Sequence, residues 1–595
     1  MNLTFPDIAV LVIYLAAVFG AGIVLSKRAS RSTEEFFVSG RTLPWWIIGT
    51  SMVATTFAAD TPLVVSGLVA RGGIYENWMW WHWAFGGITA VFLFAPLWNR
   101  AGITTDAELI ELRYDGRPAR ALRFYRATWF GIFQNVLVIA WVMRAMAKIV
   151  MVVAGWEDGD EIMGMDAGVF TVLALFSVAV AYTALSGLWG VVMTDFLQFV
   201  LAMAGSVYLA AAAWSRLGGL EGVRRGIEAA GFDPGRVMRI TPPASDPIGT
   251  GPFAEFLLLI LVVWWASYQV DGGGYLSQRL FAAKSERHSV FGYLWFCTAH
   301  ICLRPWPWIV AGLCGMALFG AVDDPETYYP MLMRDLLPPG MFGLVLASFF
   351  AAFMSTIDTQ LNWGSSLVVN DILRRFLWKG RKDREYMAAA RIAVLALALA
   401  GALASFAVED ISVAWKLIIS VTAGIGSVYI ARWYWWRVNA WSEISAMATA
   451  ALATVVFAFL SSRDAAASSP LLEFPFSTAI TVAAVIPVWV SVTLLTRPVD
   501  EETLSAFYGR VRPGGPGWRR IRRMRGEEGR EGRPRATALA VISGMVFLTA
   551  TLTGTGGLIL GRPLRAAVLL TIAAGAGTVM WAAAGKAMRK VARED

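Results

Sequence analysis

The chain has 595 residues, of which 57% are hydrophobic and only 16% charged, with a mean hydropathy of +0.56 and a formal net charge of +8. Soluble domains carry about 25% charged residues and no apolar run of about 20, whereas such runs recur here from end to end. That composition excludes a soluble globular protein and predicts an all-α polytopic membrane protein.

About fifteen transmembrane helices are predicted, near 7–27, 44–70, 78–98, 124–154, 166–186, 190–214, 253–276, 289–320, 340–370, 386–407, 411–434, 441–461, 475–496, 537–560 and 564–585. The first has no basic region before it and is followed by KRASR (27–31), so it reads as a retained span with its N-terminus outside. The second carries ATTFAADTPLVVSG (54–67), which sets Thr55, Thr56, Asp60, Thr61 and the helix breaker Pro62 inside an apolar stretch. NWMWWHWAF (77–85) opens the third as an aromatic wall that includes Trp81 and the polar His82, or as an interfacial belt.

On the fourth span Arg144 and Lys148 lie four apart and share a face. Lys148 is placed to snorkel outward. Arg144 lies deeper and needs an anionic partner: Asp60, Asp271 or a carboxylate of the solute. The sixth span contains Thr194, Asp195 and Gln198 within one turn. The seventh carries WWASYQVDGGGYLSQ (264–278), with Trp264, Trp265, Tyr268, Gln269 and Asp271 beside three successive glycines. Arg304 is flanked by prolines in LRPWPW (303–308), which predicts an irregular bend. Cys297, Cys302 and Cys314 read as small buried hydrophobes.

A carboxylate at bilayer depth costs roughly 2.5–3.5 kcal/mol on insertion scales. Unwound backbone survives there only where protein or a water-filled cavity covers it. Two interrupted spans at matching places in two halves therefore point to a binding site near the bilayer midplane of a secondary transporter.

The Lys/Arg bias orients the chain. Segments 27–41, 372–384 and 497–535 are basic and predicted cytoplasmic, while 155–166 and 321–330 are acidic and predicted external. This orientation puts the C-terminus in the cytoplasm and suits the cell (inner) membrane. RRIRRMRGEEGREGRPR (519–535) reads as a solvated cytoplasmic loop or as a contact for anionic lipid headgroups. The basic residues lie in loops between spans, so no nucleic-acid partner is expected. No Walker loop, metal-ligand cluster or nucleophile–base motif is present, and no enzymatic activity is expected.

Five segments, in order, resemble the sodium:solute symporters, which share the leucine-transporter fold: FFVSGRTLPWW (36–46), SGLWGVVMTDFLQF (186–199), YLSQRLFAAKSERHS (275–289), LPPGMFGLVLASFFAAFMSTIDTQLNWGSSLVVND (337–371) and TRPVDEETLSAFYGRVRPGGPGW (496–518). The resemblance implies a leading helix and loop (1–43), a first five-helix repeat (44–214), an outer loop (215–252) and an inverted second repeat (253–434), with the first and sixth core helices broken. Trailing helices (435–496), the basic linker (497–535) and a C-terminal hairpin and tail (536–595) follow.

It also implies Na+ as coupling ion. The matching positions are the carbonyls of Ala54, Phe57 and Ala352 and the hydroxyls of Ser355 and Thr356, with Asp195 as a second sodium site, an inner gate or a structural acid. On the residues alone, Ser355 and Thr356 serve equally well by bonding back to their own helix. The solute, a sugar, amino acid or carboxylate, is expected against Asp60, Thr61, Trp81, His82, Arg144, Trp265, Gln269 and Asp271. A proton-coupled carrier of the same fold, and a solute sensor acting through a partner, are the alternatives.

Overall fold

The computed structural model describes residues 3–29, 37–157, 159–244, 251–462, 469–527 and 534–588, with the side chains of 18–19, 21–29, 182–191 and 588 outside that description. The described chain is helical apart from loops and one two-stranded hairpin, Glu161–Ile162 with Met165–Asp166, in an acidic loop. Helices dominate because a bilayer offers the backbone no water, so each N–H and C=O must be satisfied within its own segment.

Among the described residues nine helices are long and apolar enough to cross a membrane, and two bent pairs bring the number to eleven. Three shorter apolar helices, Phe5–Ala17, Ala167–Ala181 and Pro252–Ala266, lie beside these, and the expected count of about fifteen is not confirmed among the described residues. Segment 78–98 is divided between Trp83–Leu93 and Ala95–Ala101. Segment 253–276 is helical only as far as Trp264–Ala266. Segments 166–186 and 190–214 run together in the helix Ala167–Leu217, and the expected boundary falls where side chains are not described. Apolar composition alone does not reveal where a helix splits or fuses.

The two anticipated breaks are present. Helices Trp45–Thr55 and Asp60–Gly72 meet at 58° across four non-helical residues. In the second break the backbone leaves helical form after Ala266 and resumes at Gly274. Gly272 and Gly274 have φ of +74° and +76°, a region that costs a residue with a Cβ strain and glycine none. A third break, between Ile411–Val421 and Ile425–Tyr434 at 49°, was not anticipated.

The third break packs against the second through Gly426. A Cβ built there would lie 2.2 Å from the Trp265 carbonyl oxygen and 2.5 Å from that of Ser267. Gly426→Ala should therefore push the second break out of place and lower the thermal midpoint, by an overpacking cost of about 1–3 kcal/mol. Unfolding of the detergent-solubilised variant checks this.

Met341–Ser366 is the central post, with nearly all of its residues buried. The two C-terminal helices, Pro534–Ile559 and Pro563–Met588, pair with each other at the periphery and leave many of their apolar side chains exposed. The described part of the basic linker is largely helical rather than a solvated loop. Helices Glu501–Val511 and Arg519–Met524 fold back on the core, where Trp518 is buried and donates to the Trp433 carbonyl at 2.7 Å.

Candidate functional site

The two halves of the first break leave opposite partial charges facing each other. Carbonyls at the end of Trp45–Thr55 form a negative terminus, and free N–H groups at the start of Asp60–Gly72 form a positive one. The chain answers each with a side chain of opposite sign. Arg304 donates to the carbonyls of Val53 (3.1 Å) and Thr56 (2.5 Å), to the Thr56 hydroxyl (2.7 Å) and to His300 Nδ1 (2.7 Å). Its guanidinium also faces the Phe57 and Trp308 rings. Asp60 stands at the other terminus, 2% exposed, and accepts from Trp415 Nε1 at 3.0 Å. The bend expected at Arg304 is a π-helical stretch, Ala299–Leu303, that precedes Pro305.

A cavity of about 180 Å³ lies between the two breaks. Asp60, Thr61 and Gln269 line it, as expected. Trp81 and His82 do not: their neighbours Trp80 and Trp83 do, while Trp81 packs on Trp78 and Trp306 and His82 Nδ1 bonds with the Trp78 carbonyl. Trp264 takes the place expected for Trp265, whose indole donates to its own helix at Leu261. Each substitution is a shift of one residue, about 100° of helix phase, which sequence position alone does not resolve. His300, Trp141 and Trp415 also line the cavity and were not anticipated.

Asp271 and Arg144 are corrections. Asp271 accepts from Arg432 at 2.6 Å and from Trp433 Nε1 at 2.8 Å, and Arg432 also reaches Glu443 at 3.3 Å. It belongs to a buried ion network outside the cavity. Arg144 pairs with neither Asp60 nor Asp271 and does not line the cavity. Lys148 does reach outward, to Asp324 and Glu326 at 2.9 Å each, in an acidic loop.

The residues matched to the sodium site, Ala54, Phe57, Ala352, Ser355 and Thr356, are all buried. Thr356 does not bond back to its own helix: its hydroxyl donates to the carbonyl of Thr55, at the first break, at 2.9 Å. Ser355 donates to Asp195 Oδ1 and Ser51 to Asp195 Oδ2, each at 2.5 Å. Phe57 N–H donates to the Ala54 carbonyl at 2.9 Å. Buried Arg279 joins this cluster by donating to Thr55 (2.9 Å), Thr359 (2.5 Å) and Ser51 (3.3 Å), with Asp195 at 4.0 Å. The sequence offered Arg279 only as one letter of a motif, YLSQRLFAAK. The cluster gathers the Ser51, Thr55, Ser355, Thr356 and Thr359 hydroxyls, the Thr55 carbonyl and the Asp195 carboxylate, and oxygens of these kinds are the ligands of small hard cations.

A model of the sodium:solute symporter family matches residues 36–462. The chain is 29% identical over 476 residues to sodium/glucose cotransporter 4 of Danio rerio, covering 73% of this chain and 68% of that one. It is 27% identical over 422 residues to sodium/glucose cotransporter 4 of Homo sapiens, spanning 66% of this chain and about three fifths (59%) of the relative. Among solved structures, an outward-open Na+-coupled sialic acid symporter shares the fold at a TM-score of 0.68 and 20% identity, over 84% of this chain and 99% of that one. The architecture is thus the leucine-transporter fold. The chain belongs to the sodium:solute symporter family, and it is a multi-pass membrane transporter rather than an enzyme.

Proposed function

We propose that the chain carries a small organic solute into the cell together with sodium, by alternating access around the cavity between the two breaks. The observation that carries this reading is the Thr356 hydroxyl reaching across to the Thr55 carbonyl. It ties the central post to the first break between Thr356, a position matched to the sodium site, and Thr55, the neighbour of the matched Ala54. A sodium ion held by the Ser355 and Thr356 hydroxyls and the carbonyls of Ala54, Phe57 and Ala352 would brace the same contact. Asp195, bonded to Ser355, links that site to Ser51 and Arg279 and takes the role of a second sodium ligand or inner gate.

In this reading 44–214 and 253–434 are the inverted repeats, the N-terminus is outside and the C-terminus cytoplasmic in the cell (inner) membrane. Exposed Arg519 and Arg523 face anionic headgroups. One sodium entering down 100 mV gains about 2.3 kcal/mol. A tenfold gradient adds about 1.4 kcal/mol, so one ion sustains a solute ratio of several hundredfold.

The test is thermal unfolding of the purified protein in sodium against potassium. Sodium should raise the midpoint by mass action, and a transported solute should raise it further in sodium. Equal midpoints in both salts, with a shift that follows pH instead, would move coupling to a proton on Asp60.

A further inference from the structure

Among the residues that line the cavity, Asp60 brings the one carboxyl group; no Lys or Arg joins it. Asp60 has no ion-pair partner among the described residues, and its side-chain donors are both neutral, the Trp415 indole at 3.0 Å and the Thr61 hydroxyl at 3.5 Å. Arg304 stands behind His300 and Thr56, does not line the cavity, and is occupied with the carbonyls of the break. A buried carboxylate without a counter-charge is costly unless a cation meets it when the site is filled.

Much of the lining is aromatic. Trp80, Trp83, Trp141, Trp264 and Trp415 all border the cavity, together with tyrosine and phenylalanine rings. Trp415 is both the donor to Asp60 and the ring neighbour of Trp83, with centroids 6.3 Å apart. Several polar groups of the lining are already taken. Gln134 donates to Tyr268, Thr356 to Thr55, and Thr422 to the Ile418 carbonyl of its own helix. A sugar, which needs a partner for each hydroxyl, finds few open ones.

Indole faces around one carboxylate are the chemistry of an ammonium receptor, because the negative ring faces and the carboxylate attract the same charge. We propose that the transported solute carries an ammonium centre, quaternary or protonated, seated against Asp60, Trp83 and Trp415. This rests on the transport reading above and narrows its solute class.

The experiment measures the unfolding midpoint of the purified full chain with choline, glycine betaine, L-lysine, glucose and lactate, each in sodium and in potassium. At least one of the three ammonium compounds should raise the midpoint, and glucose and lactate should not. Choline or betaine acting without lysine assigns a quaternary centre; lysine acting alone assigns a protonated amine. Asp60→Asn should abolish the ammonium response while keeping any response to sodium alone. Trp83→Leu, which leaves Asp60 in place, should weaken the ammonium affinity roughly tenfold, the scale of a desolvated cation–π contact. A rise with glucose or lactate only, no rise with any ammonium compound, or an undiminished response in both variants overturns the proposal. A response to ammonium compounds without one to sodium would remove sodium coupling and leave this solute class standing.

Discussion

Replacing Thr356 with alanine should weaken the protein's hold on sodium at least tenfold, a loss of about 1.4 kcal/mol or more. The variant loses a hydroxyl that spans from the central post to the first break at 2.9 Å, and with it one oxygen of the proposed ion shell. The Thr55 carbonyl, already freed by the break, is left without that donor in a buried site, so some stability is lost too. Thr356→Ser restores the hydroxyl without the methyl group and should restore most of the affinity. Titration of the unfolding midpoint with sodium separates the two effects. Lost stability lowers the whole curve, whereas lost affinity moves its midpoint to higher sodium.

Arg432→Met should be the most destabilising single change outside the cavity, costing about 3–5 kcal/mol. The guanidinium lies between Asp271 at 2.6 Å and Glu443 at 3.3 Å, 1% exposed, with the Tyr429 ring 4.1 Å from its centre. Methionine keeps the volume but leaves buried Asp271 without its cation and Glu443 with Arg126 alone, at 3.7 Å. The second break would loosen with them, since Asp271 also fixes Gly273 N–H at 3.0 Å and its own carbonyl accepts from Trp98. The thermal midpoint and the yield of monodisperse protein in detergent should both fall. Asp271→Asn together with Arg432→Met should recover part of the loss, because one stranded charge is removed with the other.

Both breaks of the core were legible in the sequence because helix breakers and polar groups are costly in a bilayer and stand out against apolar neighbours. Pro62 and Asp60 mark the first, and Gly272 to Gly274 mark the second. The third break, at Gly424, was not legible: Gly424 and Gly426 among small and apolar residues, with no proline or charged group beside them, give no such contrast. The pairing of Ser355 and Thr356 with the first break was reached only through the family resemblance, since local bonding to their own helix fits the residues alone equally well. The geometry then favoured the long-range contact for Thr356.

Substrate-side residues were read less well, for a physical reason. Acidity at a break does not say which way the carboxylate points. Asp60 turns to the cavity, whereas Asp271 turns to Arg432, which lies 161 positions away in the chain. Likewise the aromatic run at 78–83 announces a wall without revealing which face is inward, and helix phase gives that place to Trp80 and Trp83. The ion partners of Arg279 and Lys148 are equally remote in sequence, so no local pattern marks them.

The most direct measurement is equilibrium binding of radioactive sodium to the purified protein, with no solute present. Saturable binding that unlabelled sodium displaces and potassium does not, reduced at least tenfold in affinity by Thr356→Ala and retained by Thr356→Ser, is the expected result. Binding that is absent, that potassium displaces equally, or that Thr356→Ala leaves unchanged would contradict a sodium site between the central helix and the first break.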